Sequence, residues 1–451
     1  MTLNEFKEKL FKRAEETCFS EYEIYYEAGE SLDIEIFKKE VDKYSLNKTM
    51  GISFRGIYKG KMGYAYTEIM DDEAIELLIE KAKSNAEIIE NEEKEVIFEG
   101  SNRYEDFNGY NEELNNISPE EKIKLAMELE DEAYKCSDYV KNTGGCALGT
   151  TENERRIINS KGLDISAKVN GIYGFMEPVV TKDGKTNNSY AYKFTNNMSE
   201  LDIKEIAKKS VEESLAYFGA ESVKTGKYRI LFKNSVSSEL LQTFAGIFSA
   251  DNAQKGLSLL KGKVGETIGS ENLTIVDNPF LKGSLCSSPF DAEGVATYCK
   301  NIVEKGQLKM LLHNLKTAFK DSVETTGNAS KASFTSPIKV APTTLYIEKG
   351  IKSYEEMIKA LGNGIIITEV QGTHSGANAV SGDFSLAAKG FLVENDEVIR
   401  PVEQITIAGN YFEVMKDSME VGTDFKLGIP RSGSCFGSPS VLIREISVAG
   451  L

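Results

Sequence analysis

Near the start of the chain Tyr22, Ile24, Tyr26 and Ala28 alternate with polar residues, and Leu32, Ile34 and Ile36 follow after Gly29-Glu30. A period of two lines one face of a pleated strand, and a glycine-containing break reads as a turn, so this stretch predicts a β-hairpin. The strand pattern returns across Gly51–Thr67, with Lys59-Gly60-Lys61 as its turn. Asp72 then opens a helix, because Ile75, Leu78, Ile79, Ala82 and Ala86 recur at the spacing of one helical face. A meander followed by a helix is α+β logic.

Residues 91–116 are polar, acidic and without period, which marks a linker or long surface loop. Ser118-Pro119-Glu120-Glu121 is a capping box with proline at the first helical position, and the stripe Leu125, Leu129, Ala133, Cys136 follows it. Strand-like runs at Arg156–Met176 and Ser189–Phe194 lead to a helix bearing Ile203, Ala207, Val211, Leu215 and Phe218. This makes a second α+β unit. Tyr228–Phe232 reads as a strand running into a helix at 237–249 with Leu240, Leu241, Phe244 and Phe248. A further capping box, Ser353-Tyr354-Glu355-Glu356, opens a helix stopped by Gly362, and Phe391–Ile399 and Ser440–Val448 read as a hairpin and a closing strand. The expected fold is α+β: two N-terminal α+β units, 1–95 and 96–225, then a larger β-rich domain, 226–451.

Charge divides the chain in the same place. Of the formal net charge of −17 over 451 residues, 1–225 hold −16 and 226–451 hold −1. So acidic a surface repels phosphate backbones and anionic lipid heads, so no direct nucleic-acid or membrane binding is expected, and the near-neutral half is the expected surface of association. The first residues, MTLNEFKEKLFKRAEE, form a charged amphipathic helix without an apolar core, and no long apolar run occurs. A cytoplasmic protein is expected. Cys18, Cys136, Cys146, Cys286, Cys299 and Cys435 show no CxxC spacing and read as reduced, structural thiols.

Candidate chemistry is sparse. There are two histidines, His313 in an apolar run and His374 in the glycine-rich loop Gly372-Thr373-His374-Ser375-Gly376, and no HExxH. Polar loops of that kind hold binding groups, which makes His374, Ser375 and Gly376 candidates for a ligand cleft. Gly433-Ser434-Cys435-Phe436-Gly437 has the form of a nucleophile elbow, but a strand follows where the elbow needs a helix, so Cys435 reads as a small residue in a tight loop. A nucleophile–base pair of Cys435 and His374, meeting only in space, stays open as the alternative. Gly362-Asn363-Gly364 precedes a strand instead of following one, and no phosphate-binding GxxxxGK[ST] is present.

Four separated stretches of the second half are recognisable: KGLSLLKGKVGE (255–266), DAEGVATYCKNIVEKGQLKMLLHNLKTA (291–318), Thr326-Gly327-Asn328 and SGDFSLAAKGFLVENDEVIRPVEQITIAGN (381–410). In this order they resemble the TldD/TldE (PmbA) family of peptidase-related proteins, over nearly the whole chain. The resemblance implies, for the TldD branch, a zinc metallopeptidase whose helix carries His-Glu-x-x-x-His just before the Gly256-like segment. Aligned without gaps, that hexad falls on Leu241–Gly246: Leu241 and Gly246 stand at the two histidine positions and Gln242 at the glutamate. Leucine and glycine side chains offer a metal no lone pair, and an amide cannot take a proton as a carboxylate does. The resemblance therefore implies the TldE (PmbA) branch. On that reading this chain has no catalytic residue and no metal of its own. It pairs with a TldD-like catalytic subunit that carries the zinc, and it helps bind an extended peptide or unfolded protein. Two rivals remain at this point, a self-sufficient thiol- or metal-dependent peptidase and a non-proteolytic peptide-binding homodimer.

Overall fold

The computed structural model describes residues 1–90 and 95–451. Helix α1 (Leu3–Glu16) is followed by β1 (Phe19–Phe37), β2 (Glu40–Tyr58), β3 (Lys61–Thr67) and α2 (Asp72–Ile88). The expected break at Gly29-Glu30 is absent: β1 is one strand of 19 residues, and the turn comes at Lys38-Lys39. Both turn residues have positive φ, 52° and 65°, as a two-residue turn matching the twist of its strands requires. Glu130 stabilises this glycine-free turn. Its fully buried carboxylate accepts from the backbone N–H of Lys38 (3.1 Å) and Lys39 (2.7 Å) and from the Thr143 hydroxyl (3.0 Å).

Of the expected linker, residues 91–94 lie outside the described residues, and the rest is irregular apart from one bridge at Gly109 and a 3₁₀ turn at Glu112–Asn116. Ser118 caps α3 (Pro119–Cys136) with both bonds of the box formed, Ser118 N–H to Glu121 Oε2 (2.8 Å) and Glu121 N–H to Ser118 Oγ (3.2 Å). Then come β4 (Val140–Asn159), β5 (Asp164–Lys182), β6 (Lys185–Asn188), β7 (Ala191–Thr195) and α4 (Ile203–Ala216). The first half of β4, rich in Gly and Thr, carries little of the alternation that marks β5, and the sequence pattern misses it.

The two N-terminal units share one sheet. Its order is β3-β2-β1-β4-β5-β6 with β7 also paired to β5, and the seam is the antiparallel β1–β4 pair from Glu23↔Asn159 to Glu35↔Ala147. Even-numbered positions of β1 face the helices: Tyr22 and Ile24 pack under α1 and α2, and Leu32, Ile34 and Ile36 under α3 and α4. Odd-numbered positions turn toward the C-terminal domain, where Tyr25 packs with Phe290 and Ala329.

That domain begins with β8 (Gly226–Phe232), α5 (Asn234–Phe244) and α6 (Ala250–Gln254). The expected helix through residue 249 is broken at Phe244 into a 3₁₀ turn, Ala245–Phe248, and Ser249 then caps α6. Next are β9 (Ile275–Asp277), β10 (Lys300–Glu304), β11 (Gln307–Leu308), α7 (Leu315–Asp321), β12 (Ala329–Ser330), β13 (Lys339–Val340), β14 (Thr344–Ile347) and α8 (Tyr354–Leu361). The chain ends with β15 (Gly364–Gln371), α9 (Thr373–Gly376), β16 (Asp383–Glu394), β17 (Glu397–Asn410), α10 (Tyr411–Lys416), β18 (Ser418–Val421), β19 (Lys426–Leu427), β20 (Cys435–Ser438) and β21 (Val441–Ala449). Two six-stranded sheets result, β11-β10-β9-β14-β20-β19 and β17-β16-β15-β8-β21-β18. Alternation again divides the faces: Ile230, Phe232, Ile365 and Ile367 enter the main core with α5, while Leu231, Ile366 and Leu442 are covered by Met357 and Leu361 of α8.

Candidate functional site: a groove between the N-terminal sheet and the C-terminal domain

Because helices cover only one face of the long sheet, its other face meets the C-terminal domain and leaves a groove between them. Tyr25, Glu27 and Asp33 of β1, Arg155 of β4 and Tyr173 of β5 line a cavity of about 590 Å³ together with Cys286, Lys331 and Pro430. A second cavity of about 310 Å³ is lined by Tyr192 and Phe194 of β7 with Lys282, Phe425, Lys426 and Cys435. Phe194, Leu285 and Pro430 belong to both walls, so the two volumes adjoin.

Aromatic rings run along the sheet side. Ring centroids are 5.8 Å apart for Phe175–Tyr190, 6.2 Å for Tyr190–Tyr192, 5.7 Å for Tyr192–Phe194 and 5.2 Å for Phe194–Tyr173. Lys426 Nζ lies 4.1 Å from the centroid of Tyr192, and burial followed by the charge of Lys209 pushes that amine down to about 8. In the larger cavity Lys331 Nζ donates to Ser53 Oγ (2.7 Å) and Tyr64 Oη (2.8 Å) and sits 4.6 and 4.8 Å from the rings of Tyr25 and Tyr64. Burial, aided by Arg55, pushes Lys331 down to about 7. Beneath it Arg55 Nε pairs with Glu23 Oε1 at 2.7 Å and Arg55 Nη1 with Glu293 Oε1 at 3.6 Å, all three side chains buried. Burial raises Glu293 to about 7 and Asp291 to about 6, the latter although its carboxylate accepts from three backbone N–H groups. Stacked rings, with Lys331 and Lys426 over their faces, offer apolar and aromatic surface on which rings or apolar groups of a ligand can pack. Beside them β7 pairs only with β5, so its second edge carries no strand among the described residues.

Leu241, Gln242 and Gly246, the positions that the resemblance sets against a metal motif, lie at the junction of α5 and the 3₁₀ turn. Leu241 is fully buried in the main core, Gln242 is half-buried, and the Gly246 carbonyl accepts from Asn252 Nδ2 at 2.9 Å. A side chain at Gly246 would begin 3.1 Å from that amide nitrogen. Leu241 and Gly246 have no side-chain donor for a metal, and Gln242 has a neutral amide in place of a carboxylate. Among the described residues no group of three or more His, Cys, Asp or Glu is placed to hold a metal.

His374, Ser375 and Gly376 lie in α9, where His374 and Ser375 are exposed and none of the three lines either cavity. The neighbouring Thr373 hydroxyl donates to Glu239 Oε1 of α5 at 3.3 Å, and burial raises the Glu239 carboxyl. His313 is buried, as its apolar run implies, and burial lowers its imidazole. Cys435 corrects the expectation of a tight loop: the turn is Ser432-Gly433, and Cys435 is the first residue of β20, paired to Thr344. Its Sγ lies 2.7 Å from Cys286 Sγ, so its partner is that thiol and not His374. Sequence reasoning missed Cys286, Lys331 and the Glu23–Arg55–Glu293 group. Only the fold joins them, the two cysteines being 149 residues apart.

Three family models match in order: PmbA/TldA metallopeptidase domain 1 over 22–86, the central domain over 112–217 and the C-terminal domain over 225–450. The metalloprotease PmbA of Escherichia coli O157:H7 is 30% identical over 74% of this chain and 71% of its own length. An uncharacterized protein of Methanocaldococcus jannaschii is 28% identical over 97% of this chain and 98% of its own. Among solved structures, a proposed modulator of a DNA gyrase from Thermotoga maritima superposes with a TM-score of 0.91 at 33% identity, covering 99% of this chain and 100% of that one. TldE from Thermococcus kodakarensis shares the fold, with a TM-score of 0.90 at 24% identity over 99% and 100% of the two chains. Three domains matched in sequence and in order, on the fold described above, make this chain a member of the PmbA/TldD metallopeptidase family.

Proposed function

We propose that this chain is the TldE-like, non-catalytic subunit of a two-component peptidase. It pairs with a TldD-like zinc metallopeptidase and holds an extended peptide or unfolded segment in the groove. The observation that carries the reading is the set Leu241, Gln242 and Gly246, which supplies neither metal ligands nor a general base where the catalytic branch has both. The groove supports the peptide part: the open edge of β7 can take an added strand through main-chain hydrogen bonds, and Tyr192 and Phe194 can seat its side chains. No helix of the described residues is long and apolar enough to cross a membrane, and the reading places the pair in the cytoplasm.

The chain should be purified alone and together with a TldD-like relative from the same cell, each supplied with zinc and unfolded casein. Cleavage is expected only from the mixture. Tyr192→Ala/Phe194→Ala should raise KM for casein about tenfold with kcat little changed, since uniform binding is what it removes. Cleavage by the chain alone at the rate of the mixture would overturn the reading.

A further inference from the structure

Cys286 and Cys435 are unlike the other four cysteines in environment. Their sulfurs are 2.7 Å apart at the point where the two cavities adjoin, with Cys286 in the wall of the larger and Cys435 in the wall of the smaller. Cys435 Sγ meets the Cys286 thiol, and beside the pair the Cys286 N–H donates to Ser284 Oγ (3.3 Å), which also pairs with Thr344 Oγ1 (2.7 Å). The contact between the two sulfurs lowers the Cys435 thiol and raises that of Cys286, because two adjacent thiols do not ionise together. Burial instead raises Cys136, Cys146 and Cys299.

We propose that Cys286 and Cys435 are a reversible oxidation site, which a hydroperoxide converts to a disulfide that clamps the 281–288 segment to β20. Cys435 ionises, giving its proton to solvent, and the thiolate attacks one peroxide oxygen. The O–O bond breaks, and the departing hydroxide takes the Cys286 proton to become water. The Cys286 thiolate then attacks the Cys435 sulfenic acid at sulfur. The S–O bond breaks, and the second hydroxide combines with the proton first released. Two thiols are oxidised by two electrons and one hydrogen peroxide is reduced to two waters. Solvent reaches the pair through the groove, since Cys286 is only half-buried although Cys435 is 2% exposed. The bond ties a loop that carries Leu285, shared by both cavities, to a strand held between β14 and β19.

The test uses the full, reduced chain treated with one equivalent of hydrogen peroxide, followed by alkylation and non-reducing peptide mapping. A Cys286–Cys435 cross-link is expected at roughly ten times the rate of oxidation at the exposed Cys18, Cys136 or Cys299, and dithiothreitol should reverse it. Cys286→Ser should leave Cys435 as a sulfenic acid that dimedone traps. Hydrogen exchange within 281–288 should slow several-fold on oxidation and recover on reduction. A pair that stays alkylatable while the exposed cysteines oxidise would overturn the site, and a cross-link without change in exchange would overturn the clamp.

Discussion

Glu130 shows how one residue can be read correctly as part of a helix and still be missed. In the sequence it sits between Leu129 and Asp131 on an amphipathic helix, where a glutamate is ordinarily solvated; in the structure it is fully buried and caps the Lys38-Lys39 turn 91 residues away. Removing it leaves two backbone N–H groups and the Thr143 hydroxyl without their acceptor. Glu130→Ala should cost about 2–4 kcal/mol, measured by urea unfolding, and Glu130→Gln less because an amide oxygen still accepts. A loss under about 0.5 kcal/mol would show that water replaces the carboxylate. The site residues divide in the same way. That Leu241 and Gly246 carry no side-chain donor and Gln242 no carboxylate is a property of side-chain chemistry and could be read directly. The placing of Lys331 beside Ser53 and Tyr64 could not, because residues 267 or more positions apart meet only through the fold.

Among elements, the misread hairpin has a specific cause. Across a two-residue turn, positions i and i+3 oppose each other on one face, so a turn at Gly29-Glu30 would put Ala28 and Ser31 together and send Leu32 to the other face. Tyr22 through Ile36 instead keep even parity throughout, which is the signature of one long strand. The hairpin at 391–399 was legible because its apolar pattern does break, and its turn is Asn395-Asp396 with φ of 53° and 68°. Glycine takes that left-handed conformation without a Cβ clash. Asp396→Gly should therefore raise stability by about 0.5–1 kcal/mol, seen as a higher urea midpoint at unchanged slope. A lower midpoint would mean that the Asp396 carboxylate, 3.6 Å from where a Cβ on Gly362 would stand, holds that helix end. The break of the 237–249 helix left no mark in periodicity, since Leu240, Leu241, Phe244 and Phe248 keep helical spacing through it.

At the scale of the molecule, the halves are joined through buried charge. Lys331 belongs to the C-terminal domain and its hydrogen-bond partners to the N-terminal sheet. Its amine is lowered to about 7 from 10.5, so between these values the unfolded chain holds a proton that the folded chain has shed. Stability due to this group therefore rises with pH across that window, and the cost of burying the ammonium is fully present below it. Glu293 and Asp291 act in a lower window: raised to about 7 and 6, they favour the folded state in acid and lose that contribution as pH climbs through those values. In Lys331→Met the upper window should vanish. The unfolding free energy of the wild type relative to the variant should grow by about 2–4 kcal/mol from pH 7 to pH 10. A difference constant over that range would mean that Lys331 stays charged in the fold.

The sequence by itself determined what depends on neighbours along the chain. Capping boxes at Ser118 and Ser353, the helices they open, the strand faces and the α+β class all follow from interactions within a few residues. So does the absence of a side-chain donor at Leu241 and Gly246 and of a carboxylate at Gln242, because side-chain composition is the same in any fold. Tertiary structure alone decided that β1 and β4 merge two units into one sheet, that helices cover a single face of it, and that the other face opens a groove against the C-terminal domain. The same packing brought two ordinary-looking cysteines into contact and took Lys331, Arg55 and three carboxylates out of water. Long-range pairing and desolvation depend on which surfaces close on one another, and residue order carries no local trace of that.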